Sequence, residues 1–174
     1  MASNQNERYL WGYVYLFLVA GIVIVIDQVT KLLVRSELGV GESWMPWEAI
    51  SDIAVVVHTW NTGMTLGFLQ GTNGLFIALS EIICILIIFL YPSLIRHRDI
   101  RVVGLGLGFI LGGAIGNLID RLAVGYVTDI FLVNLLPVFN LADIAIFIGG
   151  AILAFSLIFD QRDKKTMSQL QKEE

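Results

Sequence analysis

Four long apolar stretches divide this chain, and its polar residues gather in the few places between them. Residues 9–26 carry no charge, and eighteen residues at about 1.5 Å rise would cover roughly 27 Å, close to the thickness of a bilayer core. Carrying that helix through Asp27 and Lys31 gives a first span over about 11–33. A second falls at about 74–95, interrupted by Glu81, a third at about 102–120, and a fourth at about 139–159 before a charged tail. The first stretch is too long for a secretory signal, and no small-x-small cleavage site precedes the charges after it, so it is expected to be a retained helix.

Between the first two spans the pattern changes. Glu37, Gly39, Gly41, Glu42, Pro46 and Gly63 punctuate residues 34–73, while Ile53-Ala54-Val55-Val56-Val57 has β-branched strand character. Trp44 and Trp47 flank Pro46 and suit the headgroup level. This segment predicts a small β-containing element outside the membrane with a short interfacial helix. The fold class expected is a mainly α membrane protein, a four-helix bundle forming one integral domain over 1–174.

Composition sharpens the class. A hydrophobic fraction of 56%, a mean hydropathy of +0.77 and only 15% charged residues fit an integral membrane protein and not a soluble domain. The net charge of −4 gives no reason to expect nucleic acid as a partner. Cys84, flanked by isoleucines, is expected to pack, and His58 and His97 show no zinc-ligand spacing. No metal or cofactor is expected.

Glycines recur through the third stretch, and Gly112 and Gly116 are spaced to seat a neighbouring helix. Eight basic residues (Arg8, Arg96, Arg98, Arg101, Arg162, Lys164, Lys165 and Lys172) lie on the side of the termini, against Lys31, Arg35 and Arg121 on the other. The positive-inside rule then puts both termini in the cytoplasm and the longer connections outside.

That topology brings four acids to one depth. The first helix runs outward to Asp27, the third runs outward to Asp120, Asp129 lies in the following connection, and the fourth helix starts near Asp143. Ionisable residues at such a depth are costly and point to function. Asn117 with Asp120, and Asn140 with Asp143, are three apart, which places each pair on one helix face where an amide orients a carboxylate. Arg121 is placed to pair with a carboxylate or anchor at the headgroups. Asp27, beside Lys31, is expected to shape the site, and Glu81 to make an interhelical hydrogen bond. Asp129 and Asp143 are the candidate dyad, because two neighbouring carboxylates share a proton and perform acid–base chemistry without a metal. Two other readings stay open: an ion or proton pathway using Glu81, and an assembly protein using the glycine face.

The sequence resembles the bacterial lipoprotein signal peptidases, signal peptidase II, along nearly its whole length. The resemblance rests on five motifs in order: Asp27-Gln28-Val29-Thr30-Lys31, Asn61-Thr62-Gly63, Gly112 through Arg121, Val127-Thr128-Asp129, and Phe139-Asn140-Leu141-Ala142-Asp143. It implies a metal-independent aspartyl endopeptidase of the inner membrane, active near the extracytoplasmic face. Such an enzyme removes the signal peptide from prolipoproteins bearing a diacylglyceryl-cysteine, cutting before that cysteine. The family's catalytic aspartates fall on Asp129 and Asp143, and its supporting or substrate-binding residues on Asp27, Lys31, Asn61, Gly63, Asn117, Asp120, Arg121 and Asn140. Membrane lipids and globomycin-type inhibitors are the further partners implied, with a monomeric enzyme. The chain departs from the family pattern at Met64-Thr65-Leu66, at Thr128 and Ile130 around Asp129, and at Ile144.

Overall fold

The computed structural model describes residues 2–46, 53–61, 73–96 and 98–173, with side chains described from 5 to 159 within those ranges. Helix α1 is Ala2–Glu37, strand β1 Ser43–Trp44, strand β2 Ala54–Asn61, helix α2 Asn73–Ile95, helix α3 Ile100–Ala123, strand β3 Val127–Val133 and helix α4 Leu141–Glu173. Four helical segments are long and apolar enough to cross a membrane: Gln5–Glu37, Asn73–Ile95, Ile100–Ala123 and Leu141–Phe159. The protein is a multi-pass membrane protein, mainly helical, with one small antiparallel sheet.

Helix α3 is the centre of the bundle. In its most apolar stretch 61% of residues are buried inside the protein, against 17% for α2 and for α4, so α3 meets protein while its neighbours meet lipid. Its glycines allow this. A Cβ on Gly112 would stand 2.7 Å from the Ala20 carbonyl oxygen and 2.7 Å from Val23 Cβ of α1. On the other side, Gly106 leaves 2.8 Å for Leu153 of α4, and Gly113 lies against the Ala142 carbonyl. With little hydrophobic drive between helices in lipid, such close backbone approach is what packs them.

The bundle has two unlike ends. One is apolar: Leu16, Ala20, Ile87, Tyr91, Ile95, Val103, Leu107 and Leu111 form a buried cluster, with Cys84 half-buried against it. Arg8 closes that end by donating to the carbonyls of Ile95 (2.9 Å) and Arg98 (3.0 Å), which sets the start of α1 beside the turn between α2 and α3. Asp99 caps α3, accepting from Arg101 N at 2.8 Å, so the helix starts inside the expected basic loop.

The other end is polar and carries the sheet, in the order β1-β2-β3. The chain leaves α1 through a turn in which Gly41 adopts φ +87°, a left-handed conformation that favours glycine. Gly41 N donates to His58 O (2.8 Å) and His58 N to Glu42 O (3.0 Å), fixing β2 against that turn. The buried His58 ring bonds the Leu38 carbonyl through Nδ1 at 2.7 Å, just past the end of α1. Strand β3 pairs with β2 through Ala54↔Val133 and Asn61↔Val127, with an irregularity between Val56 and Thr59 that leaves Thr59 opposite Asp129.

Three sequence expectations need correction. The connection after α3, expected without an element of its own, contains a strand, and Val127-Thr128-Asp129-Ile130-Phe131-Leu132-Val133 has the β-branched and aromatic composition to signal it. Helix α1 continues one turn beyond residue 33, because Asp27, Lys31 and Arg35 find partners inside the bundle. Helix α4 starts at Leu141, so Asn140 precedes the helix and does not share a helical face with Asp143. The expected strand at 53–57 is present as part of β2. The interfacial helix, Trp47, Gly63 and Met64-Thr65-Leu66 lie outside the described residues.

Candidate active site

The site is assembled at the polar end from α1, α3, β2, β3 and the start of α4. Its deepest layer is ionic. Asp27, Lys31 and Arg35 recur every four residues and so share a face of α1. Lys31, wholly buried, places its ammonium 2.9 Å from Asp27 Oδ2 and 3.1 Å from Asp120 Oδ2. Its third contact is Asn117 Oδ1, at 2.9 Å. Asp120 also faces Arg35 Nη2 at 3.4 Å and accepts Thr128 N at 3.0 Å, which ties α3 to β3. Asp27 Oδ1 accepts Ala142 N at 3.0 Å, in the first turn of α4, where a carboxylate meets the positive helix end. Two cations thus face two carboxylates, and a buried charge needs such pairing to be tolerated.

Above this lies a layer of amides. Asn117 Nδ2 donates to Asp143 Oδ1 at 2.9 Å. Asn140 Nδ2 donates to Asp129 Oδ1 at 3.0 Å and to Asn117 Oδ1 at 3.2 Å. Asn140 and Asp143 also close a reciprocal cap: Asn140 N donates to Asp143 Oδ2, and Asp143 N to Asn140 Oδ1, both at 3.1 Å. Asn61 Nδ2, from β2, donates to Asp129 Oδ2 at 3.1 Å. Asn140, entirely buried, therefore touches both Asp129 and Asp143 and holds them at one place.

The two acids differ in setting. Asp129 is 4% exposed on a strand, and Asp143 is half-buried in the first turn of a helix. Burial pushes the Asp129 carboxyl up to about 6; Asp143 adds to the rise, while hydrogen bonds from Asn61 and Asn140 and the charge of Lys31 oppose it. A carboxyl with that value holds a proton through mildly acidic pH.

Eight of the ten residues singled out from the sequence join one connected network: Asp27, Lys31, Asn61, Asn117, Asp120, Asp129, Asn140 and Asp143. Arg121 stands at its edge, donating to the Asn117 carbonyl at 3.3 Å and lying 5.2 Å over the Phe76 ring, with no carboxylate in direct contact among the described residues. Gly63 lies outside the described residues. Glu81 is exposed on α2, and among the described residues it makes no interhelical hydrogen bond of the kind expected of it. Arg35 and Gln28 were not foreseen. Gln28 Nε2 reaches Asp27 (3.1 Å), the Gly116 carbonyl (3.0 Å) and Asp120 (3.3 Å). The four-residue spacing from Asp27 to Arg35 was the signal for the latter.

A membrane helix bundle that gathers paired carboxylates and amides at one end has the parts of a membrane aspartic peptidase. The comparisons give the family. Residues 19–159 match the family described as Signal peptidase (SPase) II, and the chain belongs to it; its members are aspartic peptidases. The lipoprotein signal peptidase of Halothermothrix orenii is 41% identical over 142 residues, covering 81% of this chain and 93% of that one. That of Brevibacillus brevis is 37% identical over 160 residues, 90% of this chain and 100% of its own length. A solved structure described as a bacterial membrane enzyme, determined by the in meso method at 2.3 Å, superposes with a TM-score of 0.75. It is 27% identical, over 86% of this chain and 90% of its own.

Proposed function

We propose that this protein is a lipoprotein signal peptidase that removes the signal peptide from diacylglyceryl-modified prolipoproteins, cutting before the lipidated cysteine, with Asp129 and Asp143 as its catalytic pair. The observation that carries this is Asn140, one buried residue hydrogen-bonded to both carboxylates. The likeness to named lipoprotein signal peptidases at about 40% identity supports the substrate class.

The settings of the two acids suit different roles. Asp143 accepts N–H groups on both oxygens in the first turn of α4, and it is assigned the role of base. Asp129, raised to about 6, takes the shared proton. Asp143 then acts as general base, removing a proton from a water as its oxygen attacks the scissile carbonyl, while Asp129 donates to the carbonyl oxygen. The tetrahedral intermediate collapses as the proton held by Asp143 passes to the departing amine of the cysteine. Asp129 recovers its own proton from the new carboxyl group. Titration of such a pair splits, and its apparent values belong to the pair.

The polar end of the bundle is the extracytoplasmic end in this reading, with both termini in the cytoplasm of a bacterial inner membrane. The scissile bond then meets water while the acyl chains of the cysteine stay among membrane lipids. Asp27, Lys31, Asn61, Asn117, Asp120 and Asn140 support the pair. Gly63 and Arg121 are assigned to substrate, and globomycin-type inhibitors are expected to compete for the site. One domain and a monomeric enzyme suffice.

The test uses the full chain in detergent with a diacylglyceryl-modified prolipoprotein, read by gel shift. Wild type cleaves, globomycin blocks cleavage and a chelator leaves the rate unchanged. Asp129→Asn and Asp143→Asn do not cleave, although both remain folded. Cleavage by either variant at the wild-type rate would sink the assignment.

A further inference from the structure

Hydrogen bonds in the polar centre have a direction, and it can be traced to one residue. An ammonium only donates, so the Asn117 atom that faces Lys31 must be the carbonyl Oδ1. The Asn117 amide nitrogen is thereby turned to Asp143 Oδ1, which must accept. Independently, Asp143 N only donates, so Asn140 turns Oδ1 to it and its amide nitrogen toward Asp129 Oδ1 and Asn117 Oδ1. Asn117 Oδ1 thus receives from both Lys31 and Asn140, and neither donor can be reversed. The three acceptors around Lys31 (Asp27, Asp120 and Asn117) match the three hydrogens of an ammonium.

We propose that Lys31 is a positioning residue that fixes the direction of these amide hydrogen bonds and, through Asn117, holds Asp143 as the ionised member of the pair. It touches neither catalytic carboxylate. Its action is relayed by an amide that loses one of its two donors without it: Asn140 alone would then oppose a flip that presents the Asn117 carbonyl to Asp143. A carbonyl in that place asks Asp143 for a proton, which removes the base. This inference rests on the peptidase reading and specifies which acid does what within it.

The charged groups around Lys31 are Asp27 and Arg35 on α1, Asp120 and Arg121 on α3, Asp129 on β3 and Asp143 on α4. Among them, removing Lys31 alone would leave two buried carboxylates short of a cation. The informative variant is therefore Lys31→Met combined with Asp27→Asn, which keeps the net charge of the centre unchanged and leaves Asp120 with Arg35. The asparagine still offers an oxygen to Ala142 N. The acidic limb of kcat/KM should move up by about one pH unit in this double variant, so that turnover at the foot of that limb falls about tenfold. Asp27→Asn alone, which keeps the ammonium, should not move the limb upward. Lys31→Arg, which keeps a donor-only cation, should return it to within about 0.3 unit of wild type.

An unmoved limb in the double variant would overturn the proposal, as would an equal upward shift in Asp27→Asn alone. Should the double variant fail to fold, judged by its melting temperature in detergent, Lys31→Arg decides: a limb displaced by a full unit there overturns the proposal. A wild-type enzyme that does not cleave the lipidated prolipoprotein is a different failure, that of the peptidase reading itself.

Discussion

Among the described residues, Asp27 and Asp120 meet Lys31 and Arg35, whereas Asp129 and Asp143 meet only amides within hydrogen-bond distance. All four lie at the same end of the bundle. The first two have their charge matched by a cation, and their contacts tie α1, α3, β3 and the start of α4 together. The second two have no cation in contact among the described residues, and neighbouring anions without one compete for a proton. The difference divides the acids more sharply than depth or burial does: Asp120 and Asp129 are 1% and 4% exposed, yet of the two only Asp120 has a cation in contact among the described residues. On the proposed reading, the structural acids are the compensated ones.

If that contrast is right, the two pairs should respond to substitution in opposite ways. The largest effect is expected at the dyad. Asp143→Asn should lower turnover by about 10⁴-fold or more, equivalent to ~5.5 kcal/mol of transition-state stabilisation, while the melting temperature in detergent stays at or above that of wild type. A variant that loses stability instead would place Asp143 with the scaffold.

Next comes the scaffold. Asp27→Ala should destabilise by about 3–5 kcal/mol, since it takes one of two anions from a buried ammonium and bares Ala142 N at the start of α4. Thermal unfolding in detergent measures it, and an unchanged transition would mean that Lys31 finds compensation elsewhere.

Asn140→Ala tests the bridge between the two acids. It keeps the backbone donor to Asp143 but deletes the bond to Asp129, and about 10²-fold in kcat, ~2.7 kcal/mol, is expected to be lost. Retention of full activity would show that β3 and α4 align the acids unaided.

The pH dependence of stability is a smaller effect. Asp129 has a folded value of about 6, above the ordinary 3.8 of a free carboxyl, so between those values the folded state binds more protons than the unfolded state. Stability contributed by the protonated carboxyl is therefore present at low pH, falls as pH rises through that window and is gone above about 6. The advantage of Asp129→Asn over wild type should grow by on the order of 2 kcal/mol between pH 4 and pH 7, and cleavage by wild type should decline as pH rises through about 6. A pH-independent difference would remove Asp129 from the role of acid. Least of all is expected from Glu81→Gln, which should change turnover by less than about twofold, because Glu81 is exposed on α2 and has no partner among the described residues.

Sequence reading located the helices because lipid leaves little choice. An uncharged run of bilayer length satisfies its backbone only as a helix, so composition and length decide the element. It also brought the acids to one end, since alternating helix direction is a counting argument. It missed β3, placing Asp129 in a connection to which it gave no element. Membrane hydropathy dominated the reading there, and a seven-residue strand between two spans is short against it. Arg35 was counted only as a charge outside the spans, although its spacing from Lys31 and Asp27 placed all three on one face. Asn140 was assigned to a helical face, where the structure makes it the residue before the helix and gives it a different set of bonds.

The residues alone determined that this chain crosses a membrane several times, that its third helix is lined with glycines and that its carboxylates and asparagines recur near one boundary. Those features are local: hydropathy, spacing and residue size are properties of short windows. What only the tertiary structure decided is which acid meets which partner. Lys31 and Asn117 are 86 positions apart, and Asn61 and Asp129 are 68 apart. No window of sequence contains both members, and the division of four like carboxylates into two that are ion-paired and two that meet amides exists only once the helices have packed along the glycines of α3 and the sheet has brought β3 across the open end.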